Sequence, residues 1–349
     1  MPKIPQHDAH HIVFGAGLIG SYLGACLIKA KQQVTLYGRE ELFSKLQHNF
    51  KIADYSGHHY TVPQLPHFMT SIEQKTTVEK ADVVWLTVKC TALTTVIDEL
   101  SQLVDESTII ICCQNGVGNH KIIKNAFPQN QVIRAMIPFN VVSDSPGDFF
   151  RGSEGHMTLE ITAPMENTVI WLARQLDCDL LPVDISHNMT ALQWAKLQLN
   201  LGNAMNALVD MPVKAMLENK KYRLIIALMM DELLKITEKQ KIKLPKVTNL
   251  PNKWIPKVLR LPNWLFNIVA QKMLAIDPKV RTSMYWDLKN GKKTEIDFIN
   301  GKVVDEAAKF DISVPANRLV TALIKKREQG KQDTNDELEK RFSALLKSR

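Results

Sequence analysis

The sequence predicts an α/β domain built on a mostly parallel sheet, followed by an all-α domain. Three observations carry that expectation. Short apolar runs alternate with helical patterns through the first third of the chain. A glycine cluster closes the first apolar run and opens the first helix. Beyond about residue 187 the strand-like runs stop and only helical patterns follow. Strand, helix and strand in alternation imply parallel strands joined by crossover helices.

Taken in order, residues 11–14 form an apolar run ending in glycines, residues 18–29 have helical periodicity, and residues 33–37 are a second, β-branched run. Residues 82–88 and 108–113 read as further strands, with a helix expected over 91–103. Residues 132–142 and 157–162 read as strands flanking a Pro/Gly/Asp turn region at 143–155, which makes the far edge of the sheet antiparallel. Helices are expected over 189–208, 222–240, 264–274, 294–310 and 315–327. Residues 244–262 hold Pro245, Pro251, Pro256 and Pro262 and read as a loop-rich insertion. The highly charged stretch 329–349 is expected to be an exposed helix. The domains are therefore placed at 1–187 (sheet), 188–328 (helical) and 329–349 (charged tail).

The bulk composition narrows the class. A chain of 349 residues is long for a single core and suits two domains. Its hydrophobic fraction of 45% and charged fraction of 23% are those of a globular protein. The formal net charge of +8 is spread along the chain without a recognition motif, so an anionic small molecule answers to it as well as nucleic acid does, and no nucleic-acid partner is expected. Cys26, Cys90, Cys112, Cys113 and Cys178 form no Cys-x-x-Cys pair and no metal-ligand spacing with His. That argues for a reducing compartment and against a disulfide framework or a metal site. The start, Met1-Pro2-Lys3-Ile4-Pro5, lacks a secretion pattern, and no uncharged stretch has the length of a membrane span. The expectation is a cytoplasmic protein without a membrane partner.

Chemistry begins at Gly15-Ala16-Gly17-Leu18-Ile19-Gly20. In such a turn Gly15 permits the tight bend, Gly17 leaves room for a pyrophosphate, and Gly20 lets the helix pack against the sheet. The free N–H groups and positive end of the following helix then hold phosphate. A strand before the motif and a helix after it are the context of a Rossmann-type dinucleotide site, although a ligand-free glycine turn has the same letters. At the end of the second strand an acid selects NAD, by binding the ribose 2′-hydroxyl, and an arginine selects NADP. Here Tyr37-Gly38-Arg39 places Arg39 at that tip, favouring NADP(H), while Glu40 and Glu41 follow directly.

Four further segments, Thr87-Val88-Lys89-Cys90, Gln114-Asn115-Gly116-Val117-Gly118, Trp194-Ala195-Lys196-Leu197 and Thr294-Glu295-Ile296-Asp297-Phe298-Ile299-Asn300-Gly301, follow the glycine turn in order. Together they resemble the ketopantoate reductase family over roughly residues 10–325. The resemblance implies NADPH-dependent reduction of ketopantoate, a 2-oxo acid, to pantoate in pantothenate biosynthesis, in a cleft between the two domains. It implies that Lys196 protonates the carbonyl oxygen as hydride reaches carbon; without it, a solvated helix lysine is the plain reading. Glu295 would position the lysine or a substrate hydroxyl, and a helix N-terminal acid fits that position too.

Asn200, four residues after Lys196, shares its helical face and suits the substrate's oxygens. Ser283 matches a family serine that binds the substrate carboxylate, and it also reads as a helix N-cap. At strand ends, Asn115 would line the nicotinamide ribose region and Lys89 would lie near the cofactor or the substrate carboxylate, although Asn before Gly116 is common turn chemistry. Two departures bear on substrate identity. Ala204 stands where the family carries a second asparagine, leaving Asn203 as its substitute and Asn206 nearby, and Trp286 stands where glutamine is common. The rivals are therefore a reductase of another 2-oxo acid or bulkier ketone, and a non-catalytic dinucleotide-binding sensor. The helical domain can support a homodimer.

Overall fold

The first apolar runs become strands because a parallel sheet covered on both faces buries every residue of its central strands. The computed structural model describes residues 9–70, 80–274 and 278–347. Its strands are β1 (His10–Phe14), β2 (Gln33–Tyr37), β3 (Lys51–Asp54), β4 (His59–Thr61), β5 (His67–Met69), β6 (Val83–Leu86), β7 (Ile109–Cys112), β8 (Gln131–Met136), β9 (Val141–Val142), β10 (Asp148–Arg151), β11 (Met157–Glu160) and β12 (Val183–Ser186). Among the described residues, eight of these pair in the order β12-β11-β8-β7-β6-β1-β2-β5. All pairs are parallel except β8 with β11, so β11 and β12 form the antiparallel edge that the sequence suggests.

Strand period decides which helix covers which face. Val13, Trp85 and Ile111 point into one core with α1 (Leu18–Lys29), while Ile12, Phe14, Val84, Leu86 and Ile110 point into the other. After α2 (Glu40–His48), the second face is closed by Leu100 of α3 (Ile97–Ser101) and Ile123 of α4 (His120–Ala126). The first face is completed by α5 (Glu166–Leu176), through Val169, Leu172 and Leu176.

Three expectations in this unit are corrected. The helix over 91–103 shrinks to a 3-10 turn at Cys90–Ala92 and the short α3, because Thr94-Thr95-Val96 are β-branched and propagate a helix poorly. Residues 132–142 are not one strand. β8 ends at Met136, and the chain bends through Pro138, which cannot donate to a ladder, before β9 joins a second sheet. The turn region 143–155 contains β10, and the second sheet runs β4-β3-β10-β9 with β10 parallel to β3.

The chain divides after Met189 into a second unit, Thr190–Arg349. Its helices are α6 (Met189–Asn200, beginning at the division), α7 (Gly202–Val209), α8 (Val213–Glu218), α9 (Lys220–Lys239), α10 (Ile255–Leu259), α11 (Asn263–Val269), α12 (Gln271–Leu274), α13 (Ser283–Lys289), α14 (Asn300–Ala308), α15 (Pro315–Glu328) and α16 (Asn335–Lys347). The long α9 is the centre, packing against α7, α8, α10, α14, α15 and α16. The helix expected over 189–208 is interrupted between Asn200 and Gly202, where glycine weakens helix continuity. That over 264–274 breaks at Ala270, and that over 294–310 begins as a 3-10 turn, Ile296–Phe298, before α14.

Two segments read as peripheral are packed. The insertion at 244–262 contains α10, whose Ile255, Val258 and Leu259 are buried. The charged tail buries Leu338, Phe342 and Leu345, sets Phe342 edge-on to Tyr222 of α9, and pairs Glu339 with Lys221.

Candidate active site

The glycine turn sits where the strand order reverses, between β1 and β6, which is where open α/β sheets bind ligands. Gly15 has φ +102, and a Cβ there would lie 2.6 Å from a Val88 methyl and 2.7 Å from the Val88 nitrogen, so no other residue fits. A Cβ on Gly20 would lie 2.5 Å from the Gly15 oxygen and 2.7 Å from Thr87 Oγ1, which fixes the start of α1 against the turn. Gly17 differs. Its φ of −81 is ordinary, and a Cβ there would meet nothing nearer than 3.9 Å. The protein's own packing does not require glycine at 17; a group lying against the backbone from outside would. Gly17, the cap residue of α1, has no side chain to occupy the first N–H groups of the helix, which every helix start leaves without an intrahelical partner. The residues fit a dinucleotide pyrophosphate.

The neighbouring strand ends are tied to this turn. The N–H groups of Gly15 and Ala16 both donate to the Tyr37 oxygen at 2.9 Å, which brings the tip of β2 alongside. Gly38 keeps that approach open, since a Cβ would lie 3.1 Å from the Ala16 methyl. Arg39, exposed, follows at the start of α2. Thr87 Oγ1 donates to the Gly15 oxygen at 2.8 Å, and Gln114 Nε2 donates to Leu86 and Val88 oxygens at 2.6 and 3.2 Å. The Cys90 thiol donates to the Asn115 oxygen at 3.1 Å, which also accepts from Asn119 Nδ2. Gly15, Ala16, Gly17, Leu18, Ile19, Gly20, Lys89 and Asn115 therefore gather at the C-terminal ends of β1, β6 and β7, with Arg39 at β2. The roles of Thr87, Gln114 and Asn119 in building this edge were not read from the sequence; a polar residue directly after an apolar strand was the available signal.

In the helical unit, α6 buries Trp194, Ala195, Leu197 and Gln198, while Lys196, Leu199 and Asn200 are half-buried. The half-buried positions follow helical spacing, and Asn203 on α7 continues them. Lys196, Asn200 and Asn203 thus form one stripe. Ala204 is wholly buried in the core, so the side-chain position beside Asn203 points away from that stripe.

Asn206 is structural: its Oδ1 accepts from the Thr282 N–H at 2.9 Å and its Nδ2 donates to the Met211 oxygen at 2.6 Å. Those bonds hold the start of α13 against α7. The cap position of α13 falls on Thr282, and Ser283 is its exposed first residue. Glu295 is half-buried ahead of the 3-10 turn, and its side chain does not cap it. The Thr294 hydroxyl does, accepting from the Ile296 N–H at 3.2 Å while bonded to Glu328 of α15 at 2.7 Å. α7 packs against both α13 and α15, and α15 packs against the turn that carries Glu295.

Asn300, from the same octapeptide, belongs to the fold. It donates to Asn317 Oδ1 at 3.0 Å, and buried Glu232 accepts from the N–H groups of Ala316 and Asn317 at 2.8 and 2.9 Å. That carboxylate caps α15.

A glycine turn at the switch point of a parallel sheet, in a chain whose helical unit presents a lysine–amide stripe, defines a dinucleotide-dependent oxidoreductase. The family model described as ketopantoate reductase PanE/ApbA matches residues 11–163, and that of its C-terminal region matches residues 188–328. The chain belongs to the ketopantoate reductase family. It is 24% identical to a 2-dehydropantoate 2-reductase of Lactococcus lactis, covering 91% of this chain and 97% of that one. To the enzyme of the same name from Pyrococcus horikoshii it is 24% identical, covering 90% and 96%.

Among solved structures it resembles a PanE/ApbA family ketopantoate reductase from Ralstonia eutropha, with a TM-score of 0.76 at 24% identity over 92% of this chain and 99% of that one. It also resembles D-mandelate dehydrogenase in ternary complex with NADH and anilino(oxo)acetate, with a TM-score of 0.74 at 20% identity over 92% and 99%.

Proposed function

We propose that the chain reduces 2-dehydropantoate (ketopantoate) to pantoate with NADPH. The carrying observation is the half-buried stripe of Lys196, Asn200 and Asn203 on helices whose other faces are buried, in a member of this family. Bound NADPH supplies the hydride to the carbonyl carbon. The turn from Gly15 to Gly20 holds the pyrophosphate, Arg39 the 2′-phosphate, and Lys89 and Asn115 the nicotinamide side of the cofactor. Lys196 Nζ gives a proton to the carbonyl oxygen as charge develops there, which lowers the barrier most if the ammonium is partly shielded from water. Asn200 and Asn203 donate amide hydrogens to substrate oxygens, Ser283 donates to the carboxylate, and Glu295 orients the ammonium.

The test is NADPH oxidation with ketopantoate by the purified protein. Lys196→Ala is expected to lower kcat/KM about 100- to 10,000-fold, the usual contribution of a general acid. Absence of oxidation, or an unchanged rate in Lys196→Ala, would sink the proposal.

One observation favours a second reading, a bulkier 2-oxo acid. Trp286 lies three residues after Ser283, on the same face of α13, and is 47% exposed beside Tyr285. That ring offers an apolar surface next to the serine. D-mandelate dehydrogenase, of the same fold, is solved with an aryl-bearing oxo acid. Specificity constants for ketopantoate and for aryl-substituted 2-oxo acids separate the two readings.

A further inference from the structure

One surface of the helical unit takes no part in this chemistry. α11 carries no charged residue and is docked by its inner side, where Phe266 is fully buried with the Arg223 guanidinium 4.0 Å over its ring. Arg223 is itself buried on α9. It donates to the oxygens of Leu259 at 3.1 Å and Leu261 at 2.9 Å, and to Asn263 Oδ1 at 2.9 Å. One arginine thus fastens the end of α10 and the start of α11. Trp264 and Ile268 lie two positions to either side of Phe266, which on a helix is the opposite face, and each is 67% exposed. Trp254 is exposed as well. The anchoring of Phe266 is what turns Trp264 and Ile268 outward.

Charge decides what fits there. Residues 241–281 contain nine Lys or Arg and one acid, Asp277. Arg260 and Arg281 are matched locally by Asp231 and Asp210. Lys257 instead lies 4.6 Å over the Trp254 ring, and Lys253 and Lys257 are both exposed. A second copy docked by a two-fold axis would bring two basic faces together, with the exposed Lys253 and Lys257 on both. A nucleic acid would match the lysines and leave Ile268 unanswered. A bilayer with acidic headgroups answers both: tryptophan rings settle at the headgroup level, aliphatic side chains enter just below, and lysines meet phosphates.

We propose that α10 and α11 form a peripheral docking surface for an anionic lipid bilayer, with Trp264 and Ile268 entering it and Lys253 and Lys257 at the phosphates. No helix among the described residues is long and apolar enough to cross a membrane. The sequence expectation of no membrane partner rested on the lack of such a span, which does not bear on surface contact.

The full-length protein is sedimented with vesicles of phosphatidylcholine alone and of phosphatidylcholine with phosphatidylglycerol. Binding is expected only to the mixed vesicles, weakened by salt. The double variant Trp264→Ser/Ile268→Ser should lower the bound fraction about tenfold or more, with its circular dichroism and its turnover in solution unchanged. Lys253→Glu/Lys257→Glu should weaken binding likewise. No binding to either vesicle overturns the proposal, as does binding that the variants leave intact. A concentration-dependent dimer that Trp264→Ser/Ile268→Ser abolishes would also overturn it, assigning the face to a second copy.

Discussion

At the tip of β2 a single charge separates two cofactors that differ by one phosphate. Arg39 directly follows Gly38, and of the acids after it Glu41 is paired with Lys45 at 2.7 Å. If Arg39 holds the 2′-phosphate, its loss removes one charge-assisted contact, worth about 1.5–3 kcal/mol. Arg39→Ala is therefore expected to raise KM for NADPH about 10- to 100-fold and leave that for NADH nearly unchanged, which steady-state kinetics with both cofactors would check. An unchanged preference would move selection to other residues.

A second single-residue effect lies inside β1. His11 Nδ1 accepts from Trp85 Nε1 at 3.0 Å, and burial lowers the His11 pKa from 6.5 to about 3. The unfolded chain takes up this proton at a higher pH than the folded chain does. The stability supplied by neutral His11 is thus complete above pH 6.5 and drains as the pH falls toward about 3. At pH 5 the loss is about 2 kcal/mol. Urea unfolding at pH 7 and pH 5 should show it, and His11→Leu should make the pH dependence smaller by about that amount.

At the scale of elements, the insertion and the lysine helix are joined. Gln198 Nε2 donates to the Asn252 oxygen at 3.0 Å, and Asn252 Nδ2 donates back to Gln198 Oε1 at 3.0 Å. Both residues are buried. This reciprocal pair pins α6 from the side opposite Lys196, so Gln198 is a positioning residue. Gln198→Leu strands the Asn252 amide and should destabilise the protein by about 1–3 kcal/mol. It should lower kcat more than it raises KM, and Asn252→Leu in the same chain should restore part of the stability. Full additivity of the two changes in denaturant unfolding would show that the pair is not coupled.

That link was not legible in the sequence, because it joins residues 54 positions apart. Legibility followed locality throughout. β1, β6 and β7 were readable as continuous apolar runs because both faces of the sheet are covered. The shared face of Lys196 and Asn200 was readable from helical period, with Asn203 entering only as a substitute for the asparagine missing at Ala204. β10 was hidden because Asp148-Phe149-Phe150-Arg151 sits among turn residues and finds its partner in β3, far earlier in the chain. Ser283 next to α7 was readable only by resemblance. The contact that puts it there, Asn206 with Thr282, spans 76 residues.

Across the whole molecule the proposed roles fall into two groups that follow the two units. Every proposed cofactor group falls before Met189, and every proposed substrate group falls after it. Ligands should therefore leave separate footprints, which hydrogen exchange with the intact chain can map. A ligand that binds only the folded form stabilises it by about 2.7 kcal/mol at a hundredfold excess over Kd, and slows local opening where it sits. NADPH should slow exchange across Gly15–Gly20 and the segments after β2 and β6, and Arg39→Ala should weaken that protection for NADPH but not for NADH. A 2-oxo acid alone should protect α6, α7 and the start of α13, with Lys196→Ala and Ser283→Ala reducing the effect. The interior of α9 is already buried in its own unit and serves as the internal reference. Protection by NADPH confined to the helical unit would contradict the assignment of the glycine turn. Protection by the 2-oxo acid confined to β1, β6 and β7 would contradict that of Lys196.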